Sequence, residues 1–168
     1  MNTGRDQGFL CDMLDRIEPG LLPSDVFHAV ARLVVTPTFV VVPLLVRGGR
    51  LLVLLRERDA GDPHYASLLH PAGTVIRSTD EDLPSAYRRL LRAELPDVTV
   101  KRGPVFVEVV LDRIARGREL SLIHWIELDD STPEGDLFDV DALPGNVVPT
   151  DYRRIERAAA HFRAHPGS

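Results

Sequence analysis

The sequence predicts an α/β fold, a mixed β-sheet with helices on both faces. Three observations carry this. Runs rich in Val, Leu and Ile alternate with stretches whose apolar residues recur at helical spacing. A Gly48-Gly49 pair joins the first two extended runs as a tight hairpin would. The resulting order, helix, hairpin, strand, helix, hairpin, helix, leaves a helix for each face of the sheet. The 168 residues suffice for one domain with a sizeable core, preceded by a helical extension. The boundary falls at 36/37: residues 1–36 form the extension, which packs on the domain or on a partner subunit, and residues 37–168 form the domain.

In chain order, residues 8–18 place Phe9, Leu10, Met13, Leu14 and Ile17 on one side of a helix that Pro19-Gly20 stops. A second helix starts at Ser24, a candidate cap, with Val26, Phe27, Val30, Ala31 and Val34 on one side. Thr38–Arg47 and Arg50–Glu57 read as the hairpin strands, and Pro43, lacking an amide donor, points to an edge or a bulge. Asp59–Leu69 is a surface loop able to border a pocket. A helix follows from Asp82, which can cap it, to just before Pro96. Strands are expected over 98–100, 105–112 and 119–128, with a turn at Arg116–Arg118. Asp129–Asp141 reads as an acidic loop, and Asp151–Arg163 closes the chain as a helix with Ile155, Ala158, Ala159 and Phe162 inward.

Composition narrows the function classes. With 44% hydrophobic and 27% charged residues the chain is ordinary globular protein rather than disordered. A net charge of −5 gives no general affinity for nucleic acid or an anionic membrane. A lone Cys11 excludes an internal disulfide framework, and Asp6, Asp12 and Asp15 interrupt any signal-like apolar run. The expectation is a cytoplasmic protein. The six histidines show no H-x3-H or H-E-x-x-H spacing, and no Gly-rich phosphate loop of the P-loop or G-x-G-x-x-G type occurs.

The most informative stretch is 70–95, H-P-A-G-T-V-I-R-S-T-D-E-D-L-P-S-A-Y-R-R-L-L-R-A-E-L. It resembles the signature of the Nudix superfamily, G-x5-E-x7-R-E-U-x-E-E-x-G-U with U aliphatic. Gly73 matches the first glycine; Glu81 matches the first glutamate if the loop is two residues longer; Arg89 then matches the arginine. Leu90 and Ala93 replace two helix glutamates, Pro96 replaces the last glycine, and only Glu94 remains. The resemblance implies a Nudix-like α/β/α sandwich. It also implies cleavage of a nucleoside diphosphate derivative or related pyrophosphate with Mg²⁺ or Mn²⁺ held by helix acids, because a diphosphate entering attack by water needs hard cations to offset its charge. Carried over residue by residue, Glu94 is the metal ligand, Glu94 and Glu81 are the catalytic acids, and Gly73 and Arg89 are scaffold.

With two of three helix acids missing, three readings stay open: a divergent hydrolase with weakened metal-dependent activity, an inactive nucleotide-binding or assembly module, and a fold adapted to a non-hydrolytic reaction. His70, Arg56 and Arg92 are candidate substrate-binding residues; an arginine fork can bind phosphate directly, although Arg88 and Arg92 also suit a solvated helix face. Glu134 and Asp136 in the acidic loop, or Glu108 on a strand, are candidate replacement acids. Tyr65, Phe106, Trp125 and Phe138 are candidates for stacking on a base, with core packing the plainer expectation for Phe106 and Trp125. The expected partner is a small phosphorylated molecule, and the apolar N-terminal helices make a homodimer reasonable.

Overall fold

The structure is a computed structural model that describes residues 3–20 and 22–165, so Met1, Asn2 and Leu21 of the expected extension lie outside the described residues, as do 166–168. Two helices, α1 (Thr3–Leu14) and α2 (Ser24–Ala31), precede the strands β1 (Val35–Arg47), β2 (Arg50–Leu54), β3 (Arg56–Glu57), β4 (Leu69–His70) and β5 (Ala72–Val75). Helix α3 (Leu83–Glu94), strands β6 (Val100–Ile114), β7 (Gly117–Leu128) and β8 (Leu137–Asp139), and helix α4 (Pro149–Ala164) complete the chain. Ser24 opens α2 without a side-chain cap bond; Pro23 takes the cap position instead.

The main sheet runs β6-β7-β1-β2-β8, with β5 also paired to β1. The β1–β7 pairing is parallel and the others antiparallel, which makes the sheet mixed. Gly48 and Gly49 hold φ of 59° and 75°, the left-handed pair a two-residue hairpin turn requires. Pro43 is not on an edge. It lies mid-β1, between the residues paired to β5 (Thr38–Val41) and those paired to β2 (Leu44–Arg47), a gap in which a missing amide costs no ladder bond on that side. The acidic loop also contains more order than expected: Leu137–Asp139 pairs with β2 as the edge strand, followed by a 3-10 turn at Val140–Ala142. The last hairpin turns at Ala115-Arg116, one residue earlier than expected.

Alternation along β1 sends its side chains to opposite faces, which separates two cores. Phe39, Val41 and Leu45 meet Leu90, Ala72 and Ile126 on the α3 side. Val42, Leu44 and Trp125 meet Ile155, Ala158 and Phe162 on the α4 side. One helix thus lies on each face, as a layered α/β sandwich requires. Helix α1 does not join either core; Phe9, Leu10, Met13 and Leu14 are all exposed. No described helix is long and apolar enough to cross a membrane.

Candidate functional site

The start of α3 is fixed by its own sequence. Asp82 adopts an extended backbone and accepts a bond from the Ser85 amide at 2.7 Å, while Ser85 Oγ accepts from the Asp82 amide at 3.1 Å, a reciprocal capping box. Arg89 then clamps the preceding loop. Its Nε and Nη2 donate to the two oxygens of Asp80 at 2.9 and 2.6 Å, its Nη1 to Thr74 Oγ1 at 2.6 Å, and its Nη2 to the Val75 carbonyl at 2.9 Å. Bonding to Arg89 holds the Asp80 carboxyl below its usual range. Arg89 thus ties the loop to the helix through Asp80. Glu81 is exposed and makes no ion pair among the described residues. Three acids in a row, Asp80-Glu81-Asp82, defeat counting from Gly73; the cap consumes the third, and the clamp takes the first.

Two of the three positions on this helix where the resemblance implies metal-holding acids carry apolar side chains. Leu90 is fully buried against Phe39 and Ala72, and Ala93 is a methyl group at the surface. Glu94 is half-buried; burial raises its pKa, with Arg58 acting in the opposite sense. Among the described residues no three His, Cys, Asp or Glu side chains lie close enough to hold a metal ion. A hard divalent cation wants several oxygen ligands, and this donor set does not supply them.

Several other candidates are committed elsewhere. Arg56 is tied to Asp97 (2.6 Å) and to Asp136, so both ends of its guanidinium are engaged and it joins the end of α3 to the β8 segment rather than standing open to substrate. Asp136 is thereby accounted for as well. Glu134 lies 3.6 Å from Arg47, beside the Gly48-Gly49 turn, and Glu108 pairs distantly with Arg157 at 3.9 Å. Arg92 is exposed and makes no ion pair among the described residues. Trp125 is core, as expected, and donates to His161 Nδ1 at 3.0 Å; Phe106, contrary to expectation, is half-exposed on β6. Phe138 packs partly buried against the α4-side core.

A polar cleft lies beside β5. The 58–68 loop is shaped by Asp62, which accepts from the amides of His64 and Tyr65 at 2.9 and 2.8 Å and from Arg58 Nε at 2.9 Å. Partial burial alone would raise the Asp62 pKa, but these donors hold it down to about 2. Tyr65 Oη accepts from the Ala115 amide at 3.2 Å, which fastens the loop to the last hairpin. Arg58 and Tyr65 of this loop and His70 of β4 meet Gly73 and Thr74 of β5, Arg116, and Asp151 and Arg154 of α4 around a cavity of about 100 Å³.

Arg154 anchors the far wall. Its Nη1 donates to Asp151 at 2.9 Å, and its Nη2 reaches Asp112 and Glu119 at 2.9 Å and Ser121 at 2.8 Å; Glu119 also holds Arg116. Burial raises the Asp151 pKa to about 6 against the pull of Arg154. Among the described residues, three that line the cavity keep a buried atom with no hydrogen-bond partner: Thr38 Oγ1, Arg116 Nε and Arg154 Nε. Two are obligate donors and the third can donate, so the unmet capacity there is for an acceptor.

The sequence reading did not single out Arg58, Arg116, Asp151 or Arg154. A signal existed: Asp151 and Arg154 precede Ile155, Ala158 and Phe162 on the same helix stripe, and Glu119 and Ser121 alternate inward with Ile123 and Trp125. Charges at inward positions on two elements that pack together mark a buried polar network.

His70 was expected at a pocket, and it lines this one. Burial, with Arg58 nearby, pushes its pKa down to about 4 from an ordinary 6.5. Between those values the unfolded chain binds a proton that the folded chain refuses, so stability falls as pH falls. Asp151 works the other way, because the folded chain takes up its proton first. The diagnostic is therefore a difference: relative to the parent, His70→Asn should gain roughly 2 kcal/mol as pH drops from 7 to 4.5. Urea unfolding at those pH values measures it, and parallel profiles would contradict it.

A strand feeding a capped helix through an arginine-clamped loop, on a mixed sheet backed by a second helix, defines an α/β/α sandwich. Several solved structures of Nudix proteins share this build, and the chain has the Nudix fold. It resembles the Nudix domain of Shewanella oneidensis NrtR complexed with ADP ribose (18% identity, TM-score 0.54, covering 84% of this chain and 99% of that one). It also resembles a mutT/nudix family protein from Listeria innocua (14%, 0.56, covering 77% and 94%) and the C. elegans Ap4A hydrolase (12%, 0.56, covering 77% and 99%). No family model and no curated protein matches the chain.

Proposed function

We propose that this chain is a divergent Nudix-type protein that takes a nucleoside diphosphate derivative or related pyrophosphate in the cleft beside β5. It holds the phosphates with protein donors, and the metal-dependent activity of its fold is weakened. One observation carries this reading: the loop clamp is intact while the metal position is filled by Leu90, fully buried in the core. Fold was retained and ligand acids were not. In their place the cleft offers guanidinium groups, which bind phosphate oxygens directly, and donors with nothing to bond. The ADP ribose bound by the NrtR domain is a ligand of the proposed class.

A second reading keeps hydrolysis. Glu94 remains, half-buried with a raised pKa and within the field of Arg58, properties that suit a carboxylate accepting a proton from water. A turnover screen separates the two. ADP-ribose, dinucleoside polyphosphates, nucleotide sugars and nucleoside triphosphates are incubated with Mg²⁺ or Mn²⁺, alongside Glu94→Gln. The binding reading predicts ligand-induced thermal stabilisation with little or no turnover in either protein. Rapid metal-dependent cleavage abolished by Glu94→Gln would replace it with the hydrolase.

A further inference from the structure

Among the described residues, two groups of exposed apolar side chains stand out. The first is the stripe Phe9, Leu10, Met13 and Leu14 on α1, with Phe9 67% exposed. The second lies on the α3 side of the sheet, beyond the reach of α3. There, past Phe39, which α3 covers, the register sets Leu122 beside Val109 and runs Pro37–Leu120–Leu111 across β1, β7 and β6. The opposite side of the same strands carries Asp112, Glu119 and Ser121 and is closed by Arg154 of α4. Val109 and Leu111 are left 52% and 50% exposed. At Val35 and Pro37 this face runs into an apolar groove of about 700 Å³, lined also by Phe27 and Val30 of α2 and by Ile76. Contiguous apolar surface of this extent is a contact site in a water-soluble domain.

Charge indicates what covers it. In the next register row, Val35–Arg118–Arg113, two arginines stand directly opposite each other, both exposed and without an ion pair among the described residues. Like charges across a strand pair are unfavourable, and an acidic partner relieves them. The α1 segment is such a partner: Asp6, Asp12 and Asp15 accompany its apolar stripe. We propose that α1 of one copy docks on the β6-β7-β1 face and groove of a second copy, with the exchange made reciprocally, so that the chain is a homodimer closed by two equivalent contacts. Each copy supplies one stripe and one platform, and all four apolar surfaces are covered at once. The proposal does not depend on the ligand cleft.

Light scattering with size exclusion reads the mass of the full chain. The parent should elute at twice the monomer mass. Leu10→Glu and Val109→Glu should each weaken association on the order of a hundredfold, because each buries an unpaired charge in an apolar contact. Both positions are exposed in the single chain, so unchanged circular dichroism is expected to show that the fold survives. In a Cys11→Ser background, mixing Met13→Cys with Val109→Cys should give a disulfide between the two different chains. A parent that is monomeric at all concentrations overturns the proposal. So does cross-linking confined to two Met13→Cys chains, or an intrachain disulfide in the double variant.

Discussion

Arg154→Ala is expected to destabilise the protein by about 3–5 kcal/mol, the usual cost of stripping one partner from a buried ion network. The side chain is nearly inaccessible, and its four bonds reach Asp151, Glu119, Asp112 and Ser121. Removing it leaves Glu119 with Arg116 and Ser121 only and leaves the buried Asp151 without its ion-pair partner, with only the charge of Arg58 in its field. Lysine cannot substitute well, since one ammonium has three donors and no planar fork; Arg154→Lys should recover only part of the loss. Urea unfolding at neutral pH reads both variants. A loss below about 1 kcal/mol for Arg154→Ala would show that water compensates the carboxylates and that the network is far looser than its distances imply.

Leu90→Glu is expected to cost roughly 3–5 kcal/mol and not to create a metal site, although it restores the residue type of the Nudix signature. A carboxylate at a fully buried position facing Phe39 and Ala72 has neither solvent nor a cation to offset its desolvation. Ala93→Glu is the contrast. Its position is exposed, so stability should change by no more than about 0.5 kcal/mol. It would place a second carboxylate next to Glu94, and Mn²⁺ affinity, followed by electron paramagnetic resonance, should rise above that of the parent. A Leu90→Glu protein as stable as the parent and competent to bind Mn²⁺ would show that position 90 accepts a metal-binding carboxylate despite its burial.

The elements most legible in the sequence were those with local causes. Asp82 and Pro96 bracket α3 because a cap and a helix breaker act within a turn of themselves. Gly48-Gly49 fixed the first hairpin by backbone conformation alone. Pro43 misled because its consequence depends on which strands pair on either side, and that is set by topology. Strand β8 was hidden in an acidic stretch because three residues, Leu137–Asp139, are too few to show a period. Gly73 and His70, close in sequence, both line the cleft, whereas Arg58, Arg116 and Arg154 reach it from three separate segments. Their proximity is a tertiary fact. Arg56 looked like a substrate anchor for the same reason in reverse, since Asp97 and Asp136 meet it only once the chain is folded.

In the proposed function, protein donors and not a divalent ion hold the phosphates of the ligand. Isothermal titration of chelator-treated protein with ADP-ribose and with pyrophosphate, before and after adding Mg²⁺, addresses it directly. The expected result is binding in the absence of metal, changed by less than about threefold on adding Mg²⁺ and weakened about tenfold or more by Arg116→Gln, the loss of one charge-assisted contact. Binding that appears only when Mg²⁺ is present, and that is indifferent to Arg116→Gln, would contradict it.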